Sequence, residues 1–166
     1  MIRQIFTIGY EGAALADFID TLVDARIDRV VDIRDVPASR RPGFSKNKLR
    51  EALAEQEIKY THLKPLGDPK AGREAMRRGD VGAFEEIFGA HIQSPASQDA
   101  LKEAVELASN EAIVLLCFER DPKHCHRTIV AGLMSELASF ETKHIGVQKR
   151  RGTALGSERS VRAAVG

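Results

Sequence analysis

Ala112-Ile113-Val114-Leu115-Leu116-Cys117 is apolar at every position, so neither face of this segment can be turned to water. Its length and its β-branched residues suit a strand better than a helix, and a strand buried on both faces belongs in the middle of a parallel sheet. Such a strand needs parallel neighbours and helical crossovers, and the flanking sequence supplies them. Upstream, Ile5-Phe6-Thr7-Ile8-Gly9 is a β-branched and aromatic run ending in glycine. Leu15, Phe18, Ile19, Leu22 and Val23 then recur at helical spacing between Ala13 and Arg26. Arg29 to Arg34 reads as a second strand. The loop after it, Asp35 to Gly43, holds two prolines and a glycine that forbid regular structure. Ser45 is placed to cap a helix over Lys46 to Glu57, with Phe44 and Leu49 as a hydrophobic staple.

Ile58 to Leu63 makes a third strand, and from Ala71 to Ser109 the pattern is helical, interrupted at Gly79-Asp80 and restarted at Ser94-Pro95. Past the central strand, Cys125 to Ser139 carries Ile129, Val130, Leu133, Met134 and Leu137 inward on a helix, and Lys143 to Val147 offers a last strand. The expected fold is α/β, a single-domain three-layer sandwich with a mostly parallel central sheet of about five strands. One domain over residues 1–148 is expected, followed by a loosely ordered tail over 149–166 that lacks an apolar stripe.

Composition narrows the function classes. The 166 residues are 43% hydrophobic and 30% charged, with no run approaching the ~18 apolar residues of a membrane span, which points to a soluble protein without membrane contact. The polar start of the chain does not read as a signal peptide, and a cytoplasmic location is expected. In that compartment Cys117 and Cys125 are expected as free thiols or ligands rather than as a disulfide. The net charge of +1 is unevenly spread. Residues 34–79 hold 12 Lys and Arg against 6 Asp and Glu, whereas residues 80–121 hold 2 against 9. Arg34, Arg40, Arg41, Lys46, Lys48 and Arg50 could therefore attract a phosphate or a nucleic-acid backbone, or could be a solvated face.

In doubly wound sheets, ligands bind beyond the carboxyl ends of the strands. That rule gathers Gly9-Tyr10-Glu11-Gly12, Arg34 to Arg41, Leu66-Gly67 and Cys117 to Arg127 at one edge. The last stretch is the densest in chemistry. Cys125 at a helix start would have its thiolate favoured by unpaired amides, and Arg127 could add to this or clamp an anion on the same amides. Cys117, ending an apolar strand, reads first as a small buried hydrophobe. Asp32 inside its strand calls for a partner, whether Arg34, an incoming hydroxyl, backbone amides or an arginine from the cluster, and reads at least as well as half of a structural ion pair as an acid–base group. Glu11 and Glu119 lie just past strand ends, within reach of a ligand. Tyr10 could cover a ring, Ser39-Arg40 could grip a phosphate, and Gly9 could let backbone approach closely. Neither the dinucleotide fingerprint nor the Walker A pattern is present, so no cofactor is expected. Zinc on Cys117, His124, Cys125, His126 and His62 is set behind these readings, because cysteines eight apart with adjacent ligands make a poor tetrahedral set.

Together, Thr7-Ile8-Gly9-Tyr10, Val31-Asp32-Ile33-Arg34 with Pro37 and Ser39-Arg40, Leu66-Gly67, Leu116-Cys117-Phe118-Glu119 and Cys125-His126-Arg127 resemble the family known as domain of unknown function 488. The resemblance runs from about residue 5 to 147 and implies a small α/β protein of bacterial or archaeal type, with no established activity. Two positions depart from the family pattern: Glu11, where Ser or Gly is common, and Asp68, where a second Gly is common. A cysteine-bearing loop between strand and helix also resembles rhodanese-like sulfurtransferases and cysteine phosphatases, although here Cys125 directly precedes His126-Arg127 and Cys117 comes too early.

The functional expectation is an enzyme, a hydrolase or transferase, acting on a phosphate-bearing nucleotide or nucleic-acid substrate. Asp32, Glu119 and Cys125 are its candidate catalytic groups. Gly9, Tyr10, Glu11, Arg34, Ser39, Arg40, Cys117, His126 and Arg127 are its candidate binding groups. The alternatives are a non-catalytic nucleic-acid-binding module working through residues 34–50, and thiol or sulfur-transfer chemistry at Cys125.

Overall fold

The computed structural model describes residues 3–150. The expected tail from 151 onward lies outside the described residues, as does the side chain of His124. The sheet has five strands, all parallel: β1 (Arg3–Gly9), β2 (Arg29–Asp32), β3 (Lys59–His62), β4 (Ile113–Cys117) and β5 (Phe140–His144), in the spatial order β3-β2-β4-β1-β5. The all-apolar segment is indeed central, and every residue of β4 is buried.

The strand order decides which face each helix covers. The chain moves one way along the sheet through α1 (Leu15–Asp24) and α2 (Lys46–Ala54). It returns through α3 (Lys70–Arg77), α4 (Val81–Ile92), α5 (Pro95–Asn110) and α6 (His126–Leu137). With right-handed crossovers, reversing direction puts the second group on the opposite face. Two separate apolar cores follow. Phe18, Leu22, Leu49 and Leu53 pack with Val30, Val114 and Leu116, while Phe88, Leu101, Val130 and Met134 pack with Val31, Ile113 and Leu115.

The reversal also fixes the site. The loops leaving β1 and β2 go to one face and the loop leaving β4, which lies between them, goes to the other, so the chain parts at the end of β4. Backbone bonds hold the parting strands together for another residue or two: Tyr10 N donates to Cys117 O, Glu11 N to Phe118 O and Ile33 N to Leu116 O.

Two local expectations are corrected. The last strand lies three residues earlier than the Lys143–Val147 run. Phe140 and Thr142 alternate inward beside β1, and Val147 instead turns onto the α1 face, where it is buried. Ser45 occupies the helix N-cap position, but its hydroxyl is diverted to the preceding loop, bonding the amide and carbonyl of Ser39 at 3.1 and 3.2 Å. Phe44 and Leu49 are both fully buried in one cluster, as a staple requires. At the far end, Arg150 pairs with Asp20 and Asp24 on α1, so the chain is held one residue beyond Lys149, where the tail was expected to begin. No helix among the described residues is long and apolar enough to cross a membrane.

Candidate functional site

The period of two along a strand sorts the polar residues at the sheet edge. Asp32 pairs in register with Leu116, so both point to the α1/α2 face, while Gly9 pairs with Cys117 and both point to the α6 face. Asp32 and the cysteine cluster therefore lie on opposite sides of the sheet.

Asp32 is fully buried and fully occupied. Its Oδ1 accepts from Arg34 Nε at 2.9 Å and from the Arg34 amide at 3.1 Å, and its Oδ2 accepts from Arg34 Nη2 at 2.7 Å and from the Tyr60 hydroxyl at 2.5 Å. The carboxylate raises the pKa of the guanidinium, even though burial alone would lower it. Burial and the same carboxylate push the Tyr60 hydroxyl up as well. Arg34 also donates to the Phe44 carbonyl at 2.7 Å and faces the Tyr10 ring, which stacks on Phe44. This bidentate pair organises the loop after β2 and has no capacity left for a substrate, in contrast to the catalytic role expected of Asp32.

Arg127 has the same character on the other face. Its side chain is fully buried: Nε donates to Thr7 Oγ1 and Nη2 to the Arg120 carbonyl, each at 3.1 Å, and Nη1 reaches both the Glu119 carbonyl and Cys117 Sγ, the latter at 3.1 Å. The expected anion clamp is thus an internal brace for the loop after β4. Gly9 makes room for it, because a Cβ there would fall 1.8 Å from the Glu119 oxygen and 2.8 Å from Arg127 Nη1. Gly9→Ala must displace backbone, and a loss at the upper end of ~1–3 kcal/mol is expected in urea unfolding.

Cys125 forms the N-cap of α6, its Sγ accepting from the Arg127 amide at 3.5 Å. Its sulfur is joined to Cys117, where free thiols or ligands were expected. The loop folds back because Arg127 gathers the carbonyls of residues 119 and 120, and this brings β4 and α6 close enough for the sulfurs to meet. Sulfurs bonded to each other do not serve as zinc ligands, so the nearby Glu119 carboxylate does not complete a metal site with them in this state. His126 Nε2 donates to the Ile33 carbonyl at 2.8 Å, leaving Nδ1 to face Cys125 Sγ at 3.8 Å. Burial first, then the charges of Arg127 and Arg73, push its pKa down to about 4.

The unfolded His126 imidazole near 6.5 binds a proton that the folded one refuses until about pH 4. Its stabilising contribution is therefore complete above pH ~6.5 and is lost as the pH falls to 4. This contribution alone amounts to about 3 kcal/mol across that window, and urea midpoints at pH 4 and pH 7 should show His126→Gln removing it, with the variant losing less stability than the wild type as the pH falls.

A cavity of about 820 Å³ opens at the end of β4. Tyr10, Arg34, Cys117, Glu119 and His126 line it among the expected residues. Others stand aside from it: Glu11 is exposed and accepts from the Arg120 amide, Ser39 bonds within its own loop, and Arg40 points to solvent. Of the basic stretch, Arg41 donates to the Ala13 carbonyl and Arg50 to Asn47.

The structure adds Asp35, Asp68, Arg73 and Arg77 to the lining. Gly67 lets their two loops close up, since a Cβ there would lie 2.4 Å from the Asp35 amide. Arg73 Nη1 donates to Asp35 Oδ2 at 2.8 Å and to the Asp68 carbonyl at 2.7 Å, and with Lys64 it holds the Asp35 carboxyl below its usual range. Asp68 differs. Its carboxyl is buried over Gly72, whose missing side chain leaves the space, and Oδ1 accepts no hydrogen bond. Burial, the Glu119 charge and the Asp35 charge push its pKa up to about 7, against the pull of Arg73. Glu119 is raised as well, again first by burial. Three exposed apolar side chains, Val36, Val81 and Phe118, edge the same cavity.

No curated protein and no solved structure matches the chain. The family described as domain of unknown function DUF488 matches it over residues 14–134, a span that runs from the start of α1 into α6 and takes in the β2, β3 and β4 edge loops, and the chain belongs to that family.

Proposed function

We propose that the cavity is the active site of a hydrolase or transferase that moves protons between Asp68, Glu119 and a small anionic, ring-bearing substrate of the nucleotide class. The observation that carries this is Asp68: a buried carboxyl with an unsatisfied oxygen, poised near neutral pH beside a second raised carboxyl. A general acid–base group works best with its pKa near the working pH, and two coupled carboxyls can divide the roles. One takes the proton from the attacking oxygen as the new bond forms, and the other gives a proton to the leaving oxygen as the old bond breaks.

The lining supports the substrate class. Arg77, exposed at the cavity, and Arg73 supply positive charge for a phosphate, while Phe118, Val36 and Val81 offer an apolar edge for a ring. Calorimetry with nucleoside monophosphates and their parent nucleosides tests the reading. Monophosphates are expected to bind, Arg77→Gln to weaken them about tenfold, and Phe118→Ala to weaken both sets. Failure of every monophosphate to bind, or affinities untouched by both substitutions, contradicts it.

A further inference from the structure

The charge balance around Arg127 points to a second chemistry, independent of the acid–base reading. Its guanidinium is fully buried, and among the described residues it hydrogen-bonds to no carboxylate. Its partners are a hydroxyl, two carbonyls and the Cys117 sulfur, and burial lowers its pKa. The Glu119 and Asp121 carboxylates act on it only through space, and the sulfur that touches it is neutral in a disulfide. Reduction would put a negative charge in direct contact with it, because a Cys117 thiolate would lie 3.1 Å from Nη1. On the other side of the bond, Cys125 sits at the N-terminus of the twelve-residue α6 and already accepts from the Arg127 amide, so the helix dipole favours its thiolate too. Both sulfurs have surroundings that stabilise the reduced pair.

We infer that Cys117–Cys125 is a redox-active disulfide, readily reduced by small soluble thiols that reach Cys117 through the cavity. Both cysteines are buried, and Cys117 lines that cavity while Cys125 does not, which assigns the first attack to Cys117. An incoming thiolate forms a mixed disulfide with Cys117 and expels the Cys125 thiolate, a good leaving group at the helix end. A second thiolate attacks the small-molecule sulfur of that mixed disulfide and expels the Cys117 thiolate beside Arg127. The protein disulfide gains two electrons, two thiols become one soluble disulfide, and their two protons pass to solvent or to the cysteines.

The test uses the intact protein in a series of reduced-to-oxidised glutathione ratios, with acid quenching, alkylation and mass spectrometry to count free thiols. One reversible transition between a Cys117–Cys125 disulfide and two alkylated cysteines is expected within the series, and Cys125→Ser should trap glutathione on Cys117. Arg127→Gln should move the midpoint about tenfold toward more reducing ratios, the factor that one pKa unit of thiolate stabilisation supplies. Should that variant fail to fold, the wild type still decides, since reduced Cys117 should alkylate quickly well below pH 8.5. A disulfide that survives the most reducing ratio, thiols that stay free at the most oxidising one, or a Cys117 alkylation rate that rises only above pH 8.5 would overturn the inference.

Discussion

Asp68→Asn is expected to lower turnover by at least ~10²-fold, the contribution usual for a positioned general acid or base, and to make the protein more stable at neutral pH. The two effects come from one carboxyl. In the unfolded chain it titrates near 3.8 and in the fold at about 7, so between those values the folded state holds a proton that the unfolded state has released. Stability contributed by Asp68 therefore falls as the pH rises from about 4 to 7 and stays low above it. An asparagine has no charge to bury, so the variant should gain on the order of 2–4 kcal/mol above pH 7 and nothing near pH 4. Over the same window His126 acts with the opposite sign, so the wild-type pH profile should be flatter than that of Asp68→Asn, whose stability should climb between pH 4 and 6.5. Urea midpoints at a series of pH values measure this. A variant that loses activity and stability together would mark Asp68 as merely structural.

Arg34→Met is expected to cost about 3–5 kcal/mol, because it leaves the buried Asp32 carboxylate without its bidentate partner. The Phe44 carbonyl and the Tyr10 ring lose their cation as well, so the loop that edges the cavity should loosen with the core. The pair itself need not be stabilising relative to an apolar one, and removing both charges should restore part of the loss. Asp32→Asn combined with Arg34→Met is therefore expected to unfold at higher urea than Arg34→Met alone. If the single and double variants unfold together, the uncompensated charge is not what the single variant suffers from.

Much of this fold can be read from one segment. The apolar run 112–117 calls for a central parallel strand, and the alternation around it gives the layers and the edge at which the loops gather. The site was only partly legible, for three physical reasons. Which side of the sheet a residue faces depends on register, so Asp32 and Cys117 looked like neighbours although the pleat separates them. A lone arginine next to chemical groups suggested anion binding, but Arg34 and Arg127 spend their donors inside the protein, and burial is a property of the packed state. Asp68 and Arg73 come from the loop and short helix after β3, where a Gly-Asp-Pro turn offers no motif. The one available signal was the departure from the resemblance at Asp68, where the pattern implies a second glycine, and a carboxyl in place of glycine at a sheet edge adds chemistry where ligands bind. Phe140 to His144 was misplaced because an edge strand with one solvated side carries too few apolar residues to outweigh the Ile145–Val147 run beside it.

The proposed chemistry requires a carboxyl that stays half protonated at neutral pH inside the cavity. Carbon-13 NMR titration of the Asp68 side-chain carboxyl, assigned by its loss in Asp68→Asn, measures that directly. A midpoint near 7, moving down in Glu119→Gln as the neighbouring charge is removed, is the predicted result. A midpoint near 4, unmoved by Glu119→Gln, would contradict it.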